Sequence, residues 1–190
     1  MFKDIEDKKG KRSAEYLDEI DYLTESGVTL PVKAISNPKF PLIQSEYKNL
    51  VKLYLNDVGI LSGILFGSNI KPLLDTIDSV NLGAVYECVV AMELKCNGHN
   101  LFYYDNKKNG EVDFLIDDFE SLSVLPIEVK SGKDYYVHSA LSKLTGNKDY
   151  GVNQAYVLSN SGKIESKSSI TYLPVYMGMY LGNLRETEEW

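Results

Sequence analysis

The sequence predicts an α/β fold in which helices flank a mixed sheet, and three observations lead there. Residues 83–97, GAVYECVVAMELKCN, hold a helical pattern that stops at Gly98. Three strand-like runs follow: HNLFYY (99–104), EVDFLID (111–117) and SVLPIEVK (123–130). Asn109-Gly110 precedes the second run and Asp117-Asp118 closes it, both as turn signals. A second helical stretch (137–146) and another strand, NQAYVLS (153–159), complete the order helix, three strands, helix, strand. Buried helix stripes and strand faces are matched by stacking helices on a sheet.

The first third of the chain reads differently. Residues 1–10 are charged and should be loose. Residues 12–26 place Ala14, Leu17, Ile20 and Leu23 at helical spacing, with Ser13 as cap and Gly27 as stop. VTLPVKAIS (28–36) is extended, Pro38 and Pro41 break the chain, and LVKLYL (50–55) alternates as a strand. Helix and two strands around a proline-rich loop suggest a winged-helix-like segment over 1–58, followed by the main domain over 59–190. Residues 60–80 look helical but are interrupted by Gly63, Gly67 and Pro72. ITYLPVY (170–176) is the last expected strand.

Composition narrows the function classes. With 190 residues, 44% of them hydrophobic and 25% charged, a packed core is expected. The net charge of -7 opposes strong unaided binding to a phosphate backbone. Lysines 130, 133, 143, 148, 163 and 167 outnumber the acids Asp134, Asp149 and Glu165 in their stretch, which makes it locally basic. Cys88 and Cys96 lie eight apart in one helix, a poor geometry for zinc or a disulfide. Reduced, buried thiols and a cytoplasmic location are expected. No secretory h-region and no apolar run of about 20 residues is present, so no membrane association is expected.

The chemistry concentrates in PIEVK (126–130). Side chains two apart on a strand share a face, so Glu128 and Lys130 point together while Ile127 and Val129 point into the opposite layer. The same alternation in EVDF (111–114) sets Val112 and Phe114 on one face, and Glu111 and Asp113 on the other. If the two strands pair, Asp113 comes beside Glu128. Two close carboxylates repel, and a bound Mg²⁺ or Mn²⁺ relieves the repulsion. On the 83–97 helix, Glu87 shares a face with Ala84, Ala91 and Leu94, which can aim it at the sheet as a third metal ligand or leave it at the edge of an apolar stripe. His138 is expected as an exposed helix-start residue, and Lys133 as a surface lysine.

Glu87, then Asp113, then Glu128-Val129-Lys130 resembles the ordered motif of the PD-(D/E)XK restriction-endonuclease-like superfamily. LGAVYECVVAMEL, GEVDFLID, LPIEVKSGK and SALSKL are similar to a C-terminal domain of unknown function (group 4143) of bacterial and archaeal AAA-type ATPases. LYLNDVGIL (53–61) and TYLPVYM (171–177) also resemble that family, so the likeness spans roughly residues 45 to 180. The resemblance implies a metal-dependent nuclease core. In it, Asp113, Glu128 and Glu87 would hold Mg²⁺ or Mn²⁺, and Lys130 would act on the water or the phosphate of DNA or RNA. No G-x-x-x-x-G-K-[ST] loop occurs, so no ATP site is expected, and the chain is expected to be a C-terminal piece of such an ATPase. The alternative is a non-catalytic module with a vestigial nuclease fold that binds a protein partner or a second copy of itself.

Overall fold

The computed structural model describes residues 16–75 and 80–181. The expected loose segment 1–10 and the proposed cap Ser13 lie outside them. In chain order the helices are α1 (Leu17–Glu25), α2 (Val58–Phe66), α3 (Lys71–Leu74), α4 (Gly83–Cys96) and α5 (Ser139–Gly146). The strands are β1 (Thr29–Ile35), β2 (Glu46–Leu55), β3 (Phe102–Asn106), β4 (Gly110–Asp118), β5 (Ser123–Lys130), β6 (Ala155–Ser159), β7 (Glu165–Lys167) and β8 (Ile170–Pro174). Gly27 (φ +73°) and Gly98 (φ +85°) end α1 and α4 in the left-handed conformation that favours glycine.

The strands form one eight-stranded mixed sheet in the order β2-β1-β3-β4-β5-β6-β8-β7. β3, β4 and β5 make an antiparallel meander, whereas β5, β6 and β8 run parallel. The parallel strands read as apolar runs such as AYVLS because helices or loops cover both their faces. One layer joins Val90, Ala91 and Leu94 of α4 to Phe114, Ile116, Ile127 and Val129. The other joins Leu141 and Leu144 of α5 to Val112, Leu115, Val124 and Val157.

Several expectations change. β1 and β2, placed by the sequence in a winged-helix-like segment, belong to the main sheet, where β1 pairs parallel with β3. Thr29–Ile35 is largely buried on both faces, as suits an inner strand of a sheet covered on both sides, and its two edges pair with β2 and β3. Gly63 lies inside α2 rather than breaking it. Asp57 caps that helix by accepting from the Gly59 and Ile60 N–H groups at 2.6 and 3.2 Å. Cys88 is buried as expected, but Cys96 is exposed. β7 has no alternating apolar pattern and exists through its pairing with β8.

The departure that matters most lies in β4. Along β3, Phe102 to Tyr104 spans two residues, while the facing stretch of β4, Leu115 to Val112, spans three. Asp113 and Phe114 therefore oppose a single residue, a β-bulge. Val112 packs in the α5 layer and Phe114 in the α4 layer, so these two residues do not share a face. The strict alternation expected for EVDF fails at Asp113 because of the extra residue.

Candidate functional site

The β4–β5 ladder pairs regularly from Asp118↔Ser123 to Phe114↔Ile127. Beyond that point Asp113 Oδ2 accepts a hydrogen bond from the Val129 backbone N–H at 2.8 Å. A side-chain carboxylate thus replaces the carbonyl of a continuing ladder, and the hairpin opens at the bulge. At this open end Lys130 Nζ donates to Glu128 Oε1 at 2.7 Å. Glu128 is only 5% exposed, and its Oε2 is buried without a hydrogen-bond partner among the described residues. An ionised oxygen left so is costly unless something compensates it.

The electrostatics follow from this crowding. Burial first, and then the charge of Glu128, push the Asp113 carboxyl up to about 7; the Val129 N–H opposes the shift and Glu87 adds to it. Burial also raises Glu128, against the hydrogen bond and charge of Lys130. For Lys130, burial favours the neutral amine, but Glu128, Asp113 and Glu87 outweigh it and hold the proton more tightly. Burial and mutual repulsion thus oppose ionisation of both carboxyls, while the neighbouring amine favours it.

Glu87 is held differently. The Tyr54 hydroxyl of β2 donates to Glu87 Oε2 at 2.7 Å, and the Tyr54 ring lies 5.4 Å from that of Phe114. Burial, and then the Glu87 charge, raise the Tyr54 phenol far above its ordinary range. Ile127 and Val129 pack under α4, so Glu128 and Lys130 project to the other side, while Glu87 comes from α4 itself. Asp113, on the bulge, feels the charge of both acids. Among the described residues no group of three His, Cys, Asp or Glu side chains is gathered closely enough to hold a metal ion.

The sequence reading missed three residues. Lys52 of β2 pairs with Glu111 and counters the rise of the Asp113 pKa. Tyr54 holds Glu87. Alternation in LVKLYL already sets Lys52 and Tyr54 on one face, but not which strand they lean toward. The third is His138, expected to be exposed. It is buried between Ser142 Oγ at 3.1 Å and the Tyr172 hydroxyl at 2.7 Å, close enough to Glu128 to affect its ionisation. It is buried because the loop before α5, which carries Tyr135 and Tyr136, folds onto the Tyr172 ring of β8.

Residues 82–177 match the family described as Domain of unknown function (DUF4143). The chain belongs to that family. No curated protein and no solved structure matches it. Glu87, Asp113, Glu128, Lys130 and His138 all lie within the matched DUF4143 span. Lys52 and Tyr54 lie before it, so in this DUF4143 protein the hairpin of β1 and β2 supplies side chains that the matched segment lacks.

Proposed function

We propose that the open end of the β4–β5 hairpin is a nuclease-type site for phosphodiester hydrolysis in DNA or RNA. This reading sets the chain in the PD-(D/E)XK superfamily, as the C-terminal domain of an AAA-type ATPase. The observation that carries it is the buried, unpartnered Glu128 Oε2 beside Asp113, whose own ionisation is opposed by Glu128. Hard oxygen donors of this kind suit Mg²⁺ or Mn²⁺. Asp113 and Glu128 are the residues that would hold the ion. Glu87, tied to Tyr54 and coming from α4, would support it through water rather than as a third direct ligand. When bound, such an ion supplies Lewis acidity and lowers the pKa of a coordinated water.

The chain's own groups have distinct parts. Asp113 is anchored by the Val129 N–H, which fixes its carboxylate at the mouth of the hairpin. Lys130, partly exposed and held protonated by its acidic neighbours, would stabilise charge developing on a phosphate oxygen. Burial of Glu128 keeps the surrounding dielectric low, which strengthens each of these interactions.

The test is cleavage of single-stranded, double-stranded and branched DNA, and of RNA, with Mg²⁺ or Mn²⁺ present. Asp113→Ala and Lys130→Ala should each lower the rate by about 100-fold or more. No cleavage of any substrate, together with no Mn²⁺ uptake by calorimetry, would end the reading.

A second reading, a non-catalytic interaction module that binds a protein partner or a second copy of the chain, is favoured by a different observation. α2 and α3 leave Ile60, Ile64, Leu65 and Leu74 exposed, Ile64 by 70% and Leu74 by 74%. The net charge of -7 also disfavours nucleic acid as the default partner.

A further inference from the structure

A cleft of about 880 Å³ is bounded on one side by Ser131, Gly132 and Lys133, the residues that follow Lys130 in the chain. Leu82 and Tyr86 line it from the start of α4, Ser131 and Tyr135 from the loop after β5, and Asn160 and Ser161 from the loop after β6. It therefore sits at the carboxyl ends of two parallel strands, where open α/β sheets receive ligands because the loops there diverge. Ser131, the residue after Lys130, packs against the start of α4: a Cβ built on Gly83 would lie 3.9 Å from its Oγ. The loop that carries the lysine is thus also a wall of the cleft.

The lining specifies a type of ligand. Its charged residues among those described are one of each sign, Asp75 and Lys133, so the cleft offers no clamp for a free polyanion. It offers two phenol rings, leucine walls, and the amide and hydroxyl groups of Asn160, Ser131 and Ser161. A nucleobase has matching features, a flat π face for the rings and a hydrogen-bonding edge for the amides and hydroxyls. The volume lies within the range that encloses a ligand of nucleotide size. A base paired and stacked in a duplex has its π faces covered and its Watson–Crick edge occupied, so it cannot enter such a recess.

We infer that this cleft takes one unpaired nucleotide of a single-stranded nucleic acid, next to a phosphate held at Lys130. The inference rests on the nuclease reading for the identity of its ligand, and binding tests it without turnover. Fluorescence anisotropy of the full chain, in EDTA, would follow a labelled oligothymidylate of about 10 nucleotides and the same strand in a duplex. The single strand should bind at least about tenfold more tightly than the duplex. Gly132→Trp should weaken single-strand binding by about tenfold or more, because Gly132 lines the cleft and a Cβ there meets nothing within 4 Å, so the added ring occupies open space at the cleft wall. Tyr86→Leu, which keeps an apolar side chain packed on the core next to α4's own Val90 and Ala91 layer, should weaken it as well.

Unchanged binding by Gly132→Trp and Tyr86→Leu, equal affinity for the duplex, or no binding of either would overturn the inference. The two readings fail separately. Tight single-strand binding lost in Gly132→Trp, with no cleavage under any metal, supports the cleft and removes the nuclease. Cleavage lost in Asp113→Ala, with Gly132→Trp binding and cutting like the parent chain, leaves the nuclease and removes the cleft.

Discussion

The two ends of the β4–β5 hairpin carry the same kinds of residue in opposite conditions. At the closed end, Asp118 accepts from the Glu120 N–H at 3.1 Å, the Ser121 N–H at 3.4 Å and the Ser121 hydroxyl at 2.5 Å. These donors favour its ionised form and lower its pKa. Asp117, next to it, takes the Leu42 N–H at 3.0 Å and is raised mainly by burial. At the open end, Asp113 has one backbone donor and two acidic neighbours, and Glu128 keeps one oxygen unpaired. The turn carboxylate ties the chain together; the open-end carboxylates of Asp113 and Glu128 are left with fewer donors than their oxygens can accept. An acid's role here depends on how many donors reach it, not on its residue type.

The largest expected effect comes from removing the counterion at the open end. Lys130→Met should destabilise the chain by about 2 kcal/mol, since it strands the buried Glu128 charge, and Glu128→Gln in the same chain should recover most of the loss. Urea unfolding of the two variants and the double variant measures this. A loss that Glu128→Gln does not repair would show that Lys130 acts through packing rather than charge.

Next is the response to metal. At pH 8, Mn²⁺ at about ten times its dissociation constant should add about 1.4 kcal/mol to the parent chain, and nothing to Asp113→Asn. Thermal melts over a Mn²⁺ series decide it, and equal shifts in both proteins would place the ion elsewhere.

Asp113→Asn should by itself stabilise the chain at pH 8 by about 1 kcal/mol, because the amide can still accept from Val129 and carries no charge. The raised pKa of Asp113 sets the sign. Between the ordinary aspartate range and about 7, the folded chain keeps a proton that the unfolded chain has released. Stability from this group is therefore full at low pH, falls as pH rises toward 7 and levels above it. Unfolding measured from pH 4 to 8 should be flatter in the variant, and equal slopes would show that Asp113 ionises normally.

The smallest effect belongs to the closed end. Asp118→Ala should cost about 0.5 kcal/mol near pH 7. Because its pKa is lowered by folding, that contribution is present above the ordinary aspartate range and fades as pH falls through it. Neither Mn²⁺ binding nor cleavage should change. A change in either would couple the two ends and dissolve the contrast between them.

The local signals in the sequence were enough for most of the elements. Gly98 ends α4, turn residues bracket β4 and β5, and period-two patterning in PIEVK sets Ile127 and Val129 against Glu128 and Lys130, as the α4 layer shows. Such features depend on residues a few positions apart, so a single chain displays them. The bulge at Asp113 was not legible, since it depends on β3 and β4 pairing with unequal spans. Nor could LVKLYL reveal that Tyr54 reaches Glu87, 33 positions away, or the helix-start position of His138 reveal its burial against Tyr172. The chain alone determined which residues could ionise, turn or alternate. Only the tertiary structure decided which carboxyl oxygens would find a donor, because that depends on the few ångströms by which distant strands approach or part.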